Sequence, residues 1–423
     1  MILYAATIFL SAFLLFQIQP IIARAILPWF GGSAAVWTTC MLFFQMALLL
    51  GYLYADLTIR RLAPRAQAVL HSLVLAASLL VLPILPSPDW KPSGTENPIL
   101  RILLVLALSV GLPYFLLSTT SPLLQAWYTR ARTGAMPYRF FALSNLGSML
   151  ALLSYPFLVE PRLTTSVQST VWSSTYALFA VLCSVTAWLG ARRSPALPVT
   201  LAEEEAPQPP RPSTLAMWTL LAACPSALLL ALTNHLTQDV AAIPFLWILP
   251  LSVYLFTFIL CFDAPRWYWR PGFLTVLPAV LVLLTWMQGA EMDDIRKGID
   301  TILPLDLNPL KVGITLFAIS FFVCAMVCHG ELARRKPHPR YLTRFYLMIA
   351  IGGALGGVFV GVIAPYAFPS FFEFPIAVGL CGTLAVLAVF EDPGKAAKWY
   401  WRLSAAGAAV LGLGVLYLYL GRA

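Results

Sequence analysis

About thirteen stretches of this 423-residue chain are long and apolar enough to cross a lipid bilayer. They fall near 2–23, 35–55, 66–86, 99–127, 138–159, 168–190, 215–236, 244–262, 272–288, 309–329, 342–365, 373–390 and 400–420, with short polar or proline-rich breaks between them. In hydrocarbon every backbone N–H and C=O needs a partner inside the protein, so repeated spans of this length specify helices. Composition agrees, with 60% hydrophobic and 11% charged residues, where soluble domains carry about a quarter charged. The sequence therefore predicts an all-α integral membrane protein of about 13 transmembrane helices. Its opening, MILYAATIFLSAFLLFQIQP, has no basic residue before the apolar run and no small-residue cleavage site. It is expected to be a first spanning helix rather than a removable leader.

The net charge of +9 could suggest nucleic acid, but its placement argues for a bilayer and no nucleic-acid partner. Lys and Arg gather in every second connection: Arg60, Arg61 and Arg65; Arg130, Arg132 and Arg139; Arg192, Arg193 and Arg211; Arg266 and Arg270; Arg334, Arg335, Lys336, Arg340 and Arg344; Lys395, Lys398 and Arg402. Cytoplasmic loops hold such an excess, so the N-terminus is expected in the cytoplasm.

Residues 192–214, RRSPALPVTLAEEEAPQPPRPST, lack apolar periodicity and read as a cytoplasmic linker. It separates a first six-helix half, 1–191, from a second, 215–391, leaving 392–423 for an additional helix. The halves echo one another. RFFALSNLGSML at 139–150 aligns with RFYLMIAIGGAL at 344–355, pairing Arg139 with Arg344, Phe140 with Phe345, Gly147 with Gly352 and Leu150 with Leu355. Parallel repeats of this kind are typical of one class of secondary carriers.

Against this apolar background the polar residues stand out. FQIQP places Gln17 and Gln19 at the expected end of the first helix, and LTNHLTQD places Asn234, His235 and Asp239 at the end of the seventh. In a parallel six-plus-six arrangement the first helices of the halves face a central cavity, so these side chains are candidates for contact with a solute. The alternative is that Asn234 and His235 bridge neighbouring helices or cap the helix end. A third polar run, Ser118, Thr119, Thr120 and Ser121, lies between Pro113 and Pro122 in the fourth helix. It reads either as a broken helix lining a cavity or as a proline kink whose freed carbonyls are re-satisfied by hydroxyls. Asn145 on the fifth helix completes the candidate set.

Other patterns exclude chemistry. GGALGGVFVG lies within an apolar span, without the preceding strand that a nucleotide-binding loop needs. Its glycines repeat every fourth residue, the spacing that lets membrane helices approach closely. CAMVCHGELARR fails haem attachment on spacing, and Glu331 is expected to pair with the arginines that follow it. Cys40, Cys183, Cys224, Cys261, Cys324, Cys328 and Cys381 all fall in predicted spans and read as small apolar packers. No disulfide framework, metal site or cofactor is expected. Asp56, Glu160, Asp239, Asp263, Glu331 and Glu373 all sit near helix ends, which weakens a proton-coupled or polycation carrier. Without a nucleophile–base pair or a phosphate loop, a membrane enzyme is not expected.

FQIQPIIARAILPWFGGSAAVWTTCMLFFQ, YRFFALSNLGSMLALLSYPFLVEP, LTNHLTQDVAAIPFLWILPLSVYLFTFILCF and VCHGELARRKPHPRYLTRFYLMIAIGGALGG together resemble the membrane region of bacterial fused major-facilitator and spermidine-synthase-like proteins. The resemblance spans nearly the whole chain. It implies a major-facilitator-like helical bundle in the bacterial inner membrane. The chain stops at LYLYLGRA, without the soluble aminopropyltransferase-like part that often follows in that family, so no synthase activity is expected. Gly51, Asp56, Arg60 and Arg61 resemble the major-facilitator signature between helices 2 and 3, although its central glycine and first arginine are missing. Two functions are open on this reading. One is a carrier of a small organic solute by alternating access; the other is a non-transporting subunit that partners a soluble synthase-like enzyme or a larger membrane complex.

Overall fold

The computed structural model describes residues 1–31, 34–92, 97–131, 137–193, 208–239, 245–289 and 309–391. Among these residues the protein is entirely helical, and 11 helices are long and apolar enough to cross a membrane. We number the long helices α1 Ile2–Phe30, α2 Ala34–Arg61, α3 Pro64–Ser78, α4 Pro98–Ala131, α5 Tyr138–Val159, α6 Thr165–Arg193, α7 Pro212–Asp239, α8 Phe245–Asp263, α9 Arg270–Gly289, α10 Pro309–Arg334, α11 Leu342–Val358 and α12 Glu373–Phe390. In α8 the apolar stretch Ile248–Asp263 is shorter than a full span. The expected thirteenth helix, 400–420, and most of the linker lie outside the described residues, so a count of 13 is not established.

Helix starts follow local chemistry. Proline opens α3 and α4, where its missing N–H has no partner to lose. Asn97 caps α4, its side-chain oxygen accepting from the N–H groups of Ile99 at 3.0 Å and Leu100 at 3.4 Å. The interior prolines Pro20, Pro122, Pro225, Pro250 and Pro278 do not end their helices. Thus α1 continues past Pro20 to Phe30, and Gln17 and Gln19 lie near its middle instead of at its end.

The described helices form two compact units, Met1–Ala216 with Lys336–Ala354, and Met217–Arg335 with Leu355–Ala423. The division falls inside α11, whose first turns group with the first unit. In the first unit α1 is the most enclosed helix, with 67% of its span buried against 28% for α3. Its Ile8, Ile18 and Ile22 share one buried core with Leu116 and Leu124 of α4 and Tyr176 of α6. In the second unit α7 holds the corresponding place, also with 67% of its span buried.

Lipid supplies no hydrophobic drive between helices, so close packing depends on small residues. A Cβ at Gly147 of α5 would stand 2.8 Å from the Phe9 carbonyl oxygen of α1. In the second unit a Cβ at Gly356, just beyond the division of α11, would stand 2.7 Å from the Ala223 oxygen and 2.8 Å from the Ala227 nitrogen of α7. Each fifth helix of a half therefore approaches the first helix of that half through a glycine. α5 and α11 also agree in backbone detail. Tyr138–Ser154 and Leu342–Val358 are both 17-residue α-helical segments, and each passes into a five-residue π turn, Tyr155–Val159 and Phe359–Ile363. The Glu160 N–H donates to the Tyr155 oxygen, and the Ala364 N–H to the Phe359 oxygen.

Candidate functional site

The polar residues Gln17 and Gln19 of α1 are buried. Gln17 and Gln19 are 6% and 7% exposed. At about 100° per residue, positions two apart point to nearly opposite sides of a helix, so the pair does not form one patch. Both are buried because α1 is surrounded. The Gln19 Nε2 donates to the Tyr114 hydroxyl of α4 at 3.3 Å, and the Tyr114 ring lies 4.9 Å from that of Phe44 on α2. Tyr114 was not apparent from the sequence, because a lone tyrosine in an apolar run is ordinary.

The Ser-Thr run of α4 stays helical and fully buried. The Ser118 hydroxyl donates to the Phe115 oxygen at 2.6 Å and lies 3.4 Å from the Ala47 oxygen of α2. The hydroxyls of Thr119 and Thr120 donate to the Leu116 oxygen at 2.7 and 3.1 Å. These three hydroxyl protons are therefore committed to backbone carbonyls, as they are in a kink packed within a bundle. The departure from α geometry in this helix lies earlier, in the π turn Ala107–Gly111 just before Pro113. Gly51 of α2 rests on Ser118, and a Cβ there would fall 1.9 Å from its hydroxyl oxygen.

Asn145 is half-buried on α5, its Nδ2 donating to the Phe141 oxygen at 2.8 Å. In the second unit Asn234 and His235 are half-buried on α7. The His235 ring sits edge-on to Phe317 of α10 at 5.3 Å and parallel to Phe374 of α12 at 6.0 Å. The side chain of Asp239 lies outside the described residues. The structure thus joins Gln19 to Tyr114 and sets Ser118 against α2, while the Asn145 amide donates within its own helix.

Two hydrogen-bonded hubs, one per unit, were not predicted as such. In the first, the buried amide of Gln67 at the start of α3 donates to the oxygens of Thr58 and Leu62, both at 2.8 Å. Its oxygen accepts from the Trp127 indole at 3.0 Å and from Arg130 at 3.2 Å, and Arg130 also donates to the Ile59 oxygen at 2.7 Å. One glutamine therefore ties the α2–α3 turn to the end of α4. In the second unit the hub is Glu331 on α10, 1% exposed. It takes Arg270 at 2.6 Å, Arg335 at 2.8 Å and the Tyr268 hydroxyl at 3.1 Å. Burial, and then the neighbouring carboxylate, holds the Tyr268 phenol well above its usual range, so it stays a donor. The expected pairing of Glu331 with the arginines after it is present, and Arg270 from α9 joins it.

The first turns of α11 are built into the first unit. The Thr343 hydroxyl donates to Asp56 Oδ1 at 2.8 Å, and Arg60 approaches Oδ2 at 2.6 Å as an ion pair without hydrogen-bond alignment. The Tyr346 hydroxyl donates to Gln125 Oε1 at 2.7 Å, while Gln125 donates onward to Ser121 at 3.1 Å. The Tyr346 ring stacks on Phe141 at 4.8 Å, and the Tyr138 hydroxyl donates to the Pro337 oxygen. Gln125 is fully buried and was not singled out in the sequence; a glutamine within a membrane span is the signal that could have marked this contact.

These features define an all-helical, multi-pass membrane protein with buried polar ties at its helix ends. No family model matches the sequence, and no curated protein does. Among solved structures the chain is similar to the nucleoside transporter NupG, at 12% identity and a TM-score of 0.47, over 99% of this chain and 98% of that one. A single-residue mutant of NupG gives 13% identity and a TM-score of 0.46, over 98% and 100%. Agreement at this level does not assign a family or a solute.

Proposed function

We propose that this protein is a carrier of a small organic solute, working by alternating access in the bacterial inner membrane with its N-terminus in the cytoplasm. The observation that carries this reading is the anchoring of α11. Its first turns are held by a few hydrogen bonds to Asp56 and Gln125, whereas beyond Leu355 the same helix rests on α7 through Gly356. A helix anchored at one end by hydrogen bonds and buried aromatic packing, and farther along by a close glycine contact, suits an element that shifts during a transport cycle. The repeated π turns support a duplicated carrier design, and the motif resemblance to the fused major-facilitator family is in keeping with it.

Solute contacts are assigned to Gln17, Gln19 and Asn145 in the first unit and, separately, to Asn234, His235 and Asp239 in the second; Ser118, Thr119 and Thr120, whose hydroxyl protons are held by backbone carbonyls, enter only as acceptors. Among the described residues every carboxylate lies near a helix end, so the solute we assign is an uncharged, hydrogen-bonding molecule rather than a polycation. A thermal-shift screen with amino acids, nucleosides and polyamines identifies the class, and uptake into proteoliposomes then tests it. A neutral hydrogen bond is worth about 0.5–1.5 kcal/mol, so Gln19→Ala is expected to weaken apparent affinity by up to about tenfold. The double variant Asn234→Ala, His235→Ala is expected to lower uptake further. Unchanged uptake in both variants removes the site assignment. Absence of uptake for every solute, together with a stoichiometric soluble partner retained in mild detergent, favours the subunit reading instead.

A further inference from the structure

Three cysteines far apart in sequence meet inside the second unit. Cys224 of α7, Cys328 of α10 and Cys381 of α12 place their sulfurs within 4.8 Å of one another, and all three are 0% exposed. The Cys328 and Cys381 sulfurs are 3.9 Å apart. Cys324, one turn before Cys328, offers its carbonyl oxygen to the Cys381 sulfur at 4.0 Å. Cys324 therefore borders the group through its backbone, and among the described residues the three sulfurs of Cys224, Cys328 and Cys381 are those that converge. Simple apolar packing asks for small side chains there but gives no reason for three sulfurs to converge.

We propose that Cys224, Cys328 and Cys381 form a three-coordinate thiolate site for a soft monovalent metal ion, copper(I). Metal–sulfur bonds of about 2.3 Å set the edges of a planar sulfur triangle at about 4 Å. The Cys328–Cys381 separation already has that length, so those two ligands need almost no rearrangement, and a small shift of the third closes the triangle. Soft thiolates select copper(I), zinc and iron–sulfur clusters. Structural zinc is almost always four-coordinate, and iron–sulfur clusters take four cysteines. Three sulfurs in a dry setting suit a closed-shell monovalent ion that accepts three donors and needs no water. Binding one monovalent ion to three thiols releases three protons and leaves the site with a net charge of −2, so loading weakens as pH falls and the buried charge opposes it.

The full-length protein, expressed with copper and purified under reducing conditions, is expected to retain about one copper per chain. X-ray absorption is expected to show a three-sulfur shell near about 2.3 Å without nitrogen or oxygen neighbours. Cys224→Ala, Cys328→Ala and Cys381→Ala should each cut retention against a copper(I) chelator by about tenfold or more. A Cys40→Ala, Cys183→Ala, Cys261→Ala variant should retain copper like the parent. Retention of zinc instead of copper, a shell containing nitrogen or oxygen, or retention unaffected by the three substitutions each overturns the assignment. Should an alanine variant fail to fold, the metal content and sulfur count of the parent protein still decide.

Discussion

Glu331→Ala is expected to destabilise the protein by about 3–5 kcal/mol, the usual cost of removing one partner from a buried ion pair. The carboxylate is 1% exposed, and the side chains of Arg270 and Arg335 are only 16% and 18% exposed. Its loss strands two guanidinium groups that water reaches poorly. It also releases Tyr268, and it removes the group that orients both arginines toward the Ala388 oxygen at the end of α12. Reversible unfolding in mixed micelles, titrated with denaturing detergent, measures the effect. Glu331→Gln should fall between the variant and the parent, because it keeps the shape and one acceptor but not the charge. A loss under about 1 kcal/mol would place the cluster among solvated pairs that contribute little.

The second large effect concerns a glycine. In a helix interior Gly→Ala ordinarily stabilises by about 1 kcal/mol through propensity alone. At Gly356 the new Cβ meets backbone atoms of Ala223 and Ala227 at 2.7 and 2.8 Å, which no side-chain rotation can relieve. Gly356→Ala is therefore expected to cost about 1–3 kcal/mol, typical of overpacking. Gly353→Ala, three residues earlier on the same helix, meets nothing within 4 Å and should be neutral or mildly stabilising. Equal behaviour of the two variants would remove the close approach as the reason for the glycine. The same unfolding assay measures both.

Much of the fold was legible because the bilayer imposes a simple rule. Spans such as 138–159 and 373–390 coincide with the observed helices, since apolar runs of that length must satisfy their backbones internally. Pro20 was less legible. The first span was expected to end near residue 23, just past FQIQP, yet the missing N–H of Pro20 is tolerable inside a bundle, and α1 runs on to Phe30. The Ser-Thr run was correctly marked as polar, but its hydroxyls turn back onto their own carbonyls, a choice between two arrangements that the sequence left open. The cysteines read as apolar packers one at a time. Their meeting depends on the packing of three helices that are distant along the chain.

From the sequence alone came the all-helical membrane character, the expectation of duplicated halves, and the placement of acidic residues near helix ends. Each follows from periodicity, length and the cost of charge in hydrocarbon, which are properties of single segments. Which buried amide meets which hydroxyl, as in Gln19 with Tyr114 or Gln125 with Tyr346, was decided by the tertiary structure. So was the choice of Gly356 as the point where two backbones touch. A polar group in a dry interior must find a partner, but the requirement does not say which one. Only the rotation and height of each helix against its neighbours select it.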